Sequence, residues 1–260
     1  MINIIVQYYK IKYENMKKEL RQKEILDCFK ENLNKEFIEK IHWLYEDKED
    51  LEYFESMGLN LKNSKIILYN LGTRLKYSDI FSYCNQYLSG KICIYLHADM
   101  ILSNDFINLK LPENTIYTLT PHEIDKCKNI IKCGCTRSFK YKNKLLGCTF
   151  DGYIFKSPLK PEVIAKCNHI VHIMGAENRT IAILKQNGYN VQAPNSKYKA
   201  YHKHKIKIFA NQHYKWIELD GNLKPLDYYQ KIHKKQKLLP IEKRIIGGGI
   251  PILLGTVELL

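Results

Sequence analysis

The chain has 260 residues, 45% apolar and 26% charged, close to the proportions of ordinary globular domains, which excludes a disordered chain or a coiled coil. Its net charge of +14 is uneven: residues 121–260 hold 25 Lys and Arg against 10 Asp and Glu, and the first 120 residues are nearly neutral. A basic half suits nucleic acid, an anionic membrane surface or a phosphorylated substrate equally, so charge selects no function by itself.

No run reaches the roughly 20 uninterrupted apolar residues of a bilayer span, and Met1 to Val6 lacks the basic region and cleavage site of a leader. A cytoplasmic protein is expected. The eight cysteines read as free thiols of a reducing compartment. A zinc site from Cys127, Cys133, Cys135 and Cys148 is the minor alternative, since no C-x-x-C pair occurs.

In chain order, Ile2 to Gln7 is a β-branched run that reads as a buried strand. Glu14 to Asn34 repeats apolar residues at Met16, Leu20, Ile25, Leu26 and Phe29, at helical spacing. Phe37 to Tyr45 is a second apolar segment, Glu49 to Met57 a helix ended by Gly58, and Lys65 to Tyr69 a strand. Asp79 to Leu88 is a helix closed by Ser89-Gly90, and Lys91 to Leu96 the fourth strand. Further on, Ile116 to Leu119, Ile130 to Cys135, Thr149 to Phe155 and Ile170 to Met174 read as strands. Pro161 to Cys167 and Ala176 to Gln186 read as helices, the second stopped by Asn187-Gly188.

Strands alternating with helices at this spacing specify a parallel sheet covered on both faces, with ligands at the carboxyl ends of its strands. His97-Ala98-Asp99 follows the fourth strand directly, so Asp99 stands where a binding carboxylate belongs; the bland alternative is an Asp that caps a turn. Tyr8 and Tyr77 lie near strand ends, where a ring could stack on a nucleobase.

The sequence LHADMIL resembles the metal-binding turn of GT-A glycosyltransferases, here with His97 where the first Asp or Asn usually stands. Its neighbours extend the likeness. Arg21, Glu24, Cys28, Asn32 and Glu46, then Arg74 to Phe81, are similar to segments that precede that turn in short glycosyltransferase-like proteins. Asp151 to Pro158, Gly175 to Arg179 and Tyr201 to His204 are similar to segments that follow it. The likeness spans about residues 1–205.

The resemblance implies a GT-A type, Rossmann-like, mostly parallel sheet flanked by helices, with a smaller mixed acceptor-side region. Separately, residues 225–260 read as a basic, then apolar, tail that packs on the body or on a partner subunit, which leaves the domain at residues 1–224. The resemblance also implies a hexosyltransferase-like enzyme that moves a sugar from a nucleoside diphosphate sugar, with a UDP-sugar favoured, to a hydroxyl of a glycan, lipid-linked or protein acceptor. Asp99 would hold Mn2+ or Mg2+, with His202 or His204 as second ligand, and the metal would offset charge on the departing diphosphate. His97 would bind metal, touch the ribose or do neither. Glu177, at a helix start, would be the general base, and Asp151 the second candidate or an acceptor-orienting residue; a helix cap is the plain alternative for Glu177. Arg74 and Lys76 suit the diphosphate or the base, and Arg137 a further phosphate contact.

Two other readings compete: a nucleic-acid-binding protein using the basic half, against which no finger, RNP-type or helix-turn-helix motif is seen, and an inactive GT-A scaffold. A nucleotidyltransferase would be expected to carry a Gly-rich phosphate loop after its first strand, where Gln7-Tyr8-Tyr9-Lys10 stands.

Overall fold

The opening β-branched run becomes β1 (Ile2–Val6), all five residues buried, because it lies inside a sheet covered on both faces. The computed structural model describes residues 1–11, 18–124, 130–133, 139–141, 144–146, 150–172, 176–194 and 197–202. Arg137, His204 and the tail 225–260 lie outside them, as do the side chains of Cys127, Cys133, Cys135 and Cys148.

The expected alternation follows: α1 (Lys18–Leu33), β2 (Ile38–Tyr45), α2 (Lys48–Ser56), β3 (Ile66–Asn70), α3 (Tyr77–Tyr87) and β4 (Ile92–Leu96). Gly58 and Gly90, which follow α2 and α3, have φ of 81° and 78°, a region open to glycine at no steric cost. Next come β5 (Met100–Leu102), a 3-10 turn (Asn104–Asn108), β6 (Thr115–Leu119), β7 (Pro121–Ile124), β8 (Ile130–Cys133), β9 (Phe139–Tyr141) and β10 (Lys144–Leu146). The described chain closes with β11 (Gly152–Lys156), α4 (Pro161–Lys166), α5 (Ala176–Gln186), β12 (Asn190–Gln192) and β13 (Ala200–His202). Of the strand expected over Ile170 to Met174, the described residues show one isolated bridge from Ile170 to Lys76 followed by a turn at Val171 and His172; the rest lies outside them.

The central sheet has the order β12-β6-β11-β4-β1-β2-β3, the mostly parallel GT-A type sheet expected. Its exception is β11, antiparallel to both β4 and β6. Strand β11 begins where β6 ends, with Gly152 opposite Leu119, which sets the two antiparallel. A smaller mixed sheet, β5-β13-β7-β8, accompanies it.

Alternation along the central strands divides the core into two layers. Ile4, Val6, Ile94 and Leu96 pack with Ile25 and Phe29 of α1 and Phe54 of α2. Ile5, Cys93, Tyr95, Tyr153 and Phe155 pack with α3, α4 and α5. Cys84, Cys93 and Cys167 are buried in the second layer and Cys28 is buried on α1, none of them in a disulfide. Among the described residues no helix is long and apolar enough to cross a membrane.

Candidate active site

The carboxyl end of β4 delivers His97, Ala98 and Asp99 into a short turn in which the Met100 N–H donates to the His97 carbonyl at 3.1 Å. The chain then enters β5, whose partner β13 sets His202 opposite Met100. That register brings together two residues 103 apart: His202 Nε2 donates to Asp99 Oδ2 at 2.6 Å. Because β11 is reversed, Asp151 arrives beside the same edge, where its carbonyl accepts the His97 N–H at 3.0 Å.

Helix α1 supplies the third side. Arg21, Glu24, Cys28 and Asn32 recur at helical spacing and share one face. The Asn32 side chain donates to the Met100 carbonyl at 2.8 Å and accepts the Leu102 N–H at 3.1 Å, which fixes α1 to β5. About three turns earlier on that face, Arg21 reaches Asp99 Oδ2 through Nη2 and Glu24 Oε2 through Nη1, the latter at 3.2 Å. Asp99 thus carries a guanidinium and an imidazole on one oxygen.

Burial alone would push the Asp99 carboxyl up, but His202 and Arg21 beside it hold it well below the usual carboxylate range. Burial likewise opposes charge on His202, and Asp99 more than compensates, so its pKa is raised. The other groups are shifted toward neutrality. Burial takes Asp151 to about 7, with Asp99 adding and His202 opposing, and takes Glu177 to about 8, with Asp151 adding. Burial and the neighbouring His172 hold His97 well below its ordinary value, and burial brings His172 to about 4.

The two imidazoles are in contact, with ring centroids 4.0 Å apart and planes tilted by 60°. His172 holds φ of 59°, a left-handed conformation uncommon outside glycine, which is often found where a site over-determines its backbone. His97 Nδ1 lies 3.9 Å from Asp151 Oδ1, and its Nε2 is buried with no hydrogen-bond partner among the described residues. Buried polar atoms are usually paired, so this nitrogen is open to a hydrogen bond from outside the described residues.

Of the other expected residues, Glu177 opens α5, where its carbonyl accepts the Tyr153 hydroxyl at 2.6 Å. Arg74 is exposed and close enough to act on His172. Lys76 caps α3, its N–H donating to Asp79 Oδ2 at 2.9 Å. The stacking expectation for Tyr8 and Tyr77 is corrected. Tyr8 is 1% exposed among Phe29, Trp43 and Phe54, and Tyr77 is enclosed by Phe81, Tyr95 and Tyr153, so neither offers a ring face. Tyr9, 40% exposed and within electrostatic reach of Arg21, has the exposure that Tyr8 lacks. Sequence reasoning gave no role to Arg21, although its spacing from Asn32 marks one helix face, and missed His172, which no motif signals.

A divalent ion at Asp99 and His202 does not fit this arrangement. The carboxylate oxygen that would bind it already accepts from a permanent cation, and His202 turns a proton rather than a lone pair toward that oxygen. Among the described residues no three His, Cys, Asp or Glu side chains form a group able to hold a metal.

The fold is a mixed α/β one with a mostly parallel central sheet of the GT-A type, and the Asp99–Arg21–His202 cluster lies at the carboxyl end of β4. No family model and no curated protein sequence matches the chain. Solved structures of similar fold include the mannosyltransferase PcManGT from Pyrobaculum calidifontis in complex with GDP-Man and Mn2+, at TM-score 0.48 and 10% identity, over 94% of this chain and 67% of that one. The 1–349 fragment of TarS from S. aureus aligns at TM-score 0.46 and 10% identity, over 78% and 60%. The Francisella tularensis 2-C-methyl-D-erythritol 4-phosphate cytidylyltransferase aligns at 0.43 and 14%, over 80% and 94%.

Proposed function

We propose that this chain is a glycosyltransferase that moves a sugar from a nucleoside diphosphate donor, with a UDP-sugar favoured, to a hydroxyl of a glycan, lipid-linked or protein acceptor. One observation supports the reading: Asp151, beside the buried Asp99–Arg21–His202 cluster and within electrostatic reach of Glu177, and Glu177 itself are both carboxyl groups shifted toward neutral pH by burial.

The division of labour follows from charge. Sugar transfer breaks the bond between the anomeric carbon and the β-phosphate oxygen, and the electron pair leaves with that oxygen. Positive groups held in place beforehand stabilise that developing charge without reorganising. The acceptor oxygen forms the new bond to the anomeric carbon, and its proton passes to a carboxylate. A base works best with a pKa near ambient pH, which describes Asp151 and Glu177 and excludes Asp99. Asp151 is the nearer to the cluster, through His97. The unpaired His97 Nε2 would take a hydrogen bond from a sugar or ribose hydroxyl.

The test is a thermal-shift screen of UDP-, GDP- and CMP-sugars on wild type and Asp99→Ala. One donor class should raise the melting temperature of wild type and leave the variant unmoved. An equal shift in the variant would remove Asp99 from the donor site, and no shift with any donor would defeat the reading.

A further inference from the structure

We infer that Arg21 is the resident cation of this cleft and meets the donor's diphosphate itself, so that donor binding needs no divalent metal. The inference rests on the sugar-transfer reading and deepens it. Three observations support it. Arg21 occupies the oxygen of Asp99 where a metal would sit. It is held there from a rigid base, since Asn32 on the same helix face is hydrogen-bonded to the backbone of β5 on both sides of Ile101. Its side chain is only 12% exposed, so its charge acts in a medium where attraction is weakly screened.

A guanidinium is suited to the task. It remains charged at any working pH, and its planar array of N–H donors matches two phosphate oxygens at once. A metal on a single carboxylate would leave part of its charge for the diphosphate; here the same position is filled by a side chain encoded in the helix. Glu24, on the other terminal nitrogen, competes with phosphate for that guanidinium. Donor binding therefore exchanges a carboxylate contact for a phosphate contact, which makes Glu24 a restraint on affinity as well as an orienting group.

The experiment titrates UDP and GDP by calorimetry into the full chain freed of metal by chelator, with and without added Mn2+, and follows the Mn2+ itself by its solution EPR signal. Wild type should bind one of the two nucleotides in chelator. Mn2+ should change that affinity by less than about threefold, and its EPR signal should stay that of the free ion in the absence of nucleotide. Arg21→Ala should weaken nucleotide binding by about thirtyfold or more in chelator, and Glu24→Gln should strengthen it about threefold. Wild type that takes up Mn2+ and binds nucleotide only in its presence overturns the assignment of Arg21 and leaves the transferase reading intact. A chain that binds neither nucleotide with or without metal overturns both. The wild-type titrations decide the matter even if Arg21→Ala does not fold.

Discussion

Asp151 and Glu177 are half-buried carboxyl groups within electrostatic reach of each other, and their protons should set rate and stability in opposite senses. A base must be ionised, so kcat/KM should rise with pH through the range around 7 to 8 that these groups occupy. Asp151→Asn should lower kcat about a hundredfold or more and abolish the lower part of that rise. If Glu177→Gln does so instead, Glu177 is the base. Stability runs the other way. A carboxyl whose folded pKa is raised contributes stability that is complete below the unfolded value, near 4, and is lost as pH rises through the folded value. Between about pH 5 and 9, wild type should therefore lose melting temperature relative to the Asp151→Asn, Glu177→Gln double variant. Buried histidines oppose this at the acid end. His42, held to about 4, and His169, held to about 3, contribute stability above their unfolded pKa and lose it as pH falls, so the comparison must be made variant against wild type. Asp99 carries a different cost: Asp99→Ala leaves Arg21 buried beside Glu24 without its second carboxylate partner, and should destabilise by about 2 to 4 kcal/mol in urea unfolding.

Two elements carry the site, and each has one residue on which its placement turns. Asn32 ties α1 to β5 by two hydrogen bonds from a fully buried side chain. Asn32→Ala should cost about 2 kcal/mol, because the Leu102 N–H and the Met100 carbonyl lose their partner, and should weaken donor binding through Arg21 on the same helix. Urea unfolding and nucleotide titration of one variant read both effects. Gly152 is the corresponding position of β11. A Cβ there would stand 2.9 Å from the Tyr95 carbonyl and 3.3 Å from Leu119, so backbone would have to part from backbone next to Asp151. Gly152→Ala is expected to lower kcat as well as stability, and a variant of unchanged kcat would show that β11 need not approach β4 so closely.

At the scale of the molecule, one sheet separates two apolar layers that belong to its opposite faces. Neither layer has walls without the shared strands, so the two should unfold together. Phe29→Ala on one face and Phe155→Ala on the other should each remove about 3 to 5 kcal/mol while leaving a single urea transition by fluorescence and circular dichroism. Two transitions in either variant would mean that the faces fold independently.

The same division explains what could be read beforehand. Hydrophobic period and glycine stops are local properties, and they sufficed for β1 to β4, α2, α3 and α5, and for Asp99 at a strand end. They misplaced Tyr8, because whether a polar ring at a strand end turns inward depends on Phe29 and Phe54, which come from two other elements. They could suggest His202 but not join it to Asp99, since that contact requires β13 to lie on β5.

The sequence by itself therefore determined the succession of strands and helices, the alternation that buries each strand, and which acids and histidines were available for chemistry. Tertiary structure alone decided that β11 enters reversed, that Arg21 crosses 78 residues to seat on Asp99, and that the His172 ring meets that of His97. The physical reason is range: side-chain pattern is written residue by residue, whereas a charge finds its partner only after strand order and register have fixed which distant segments share one edge.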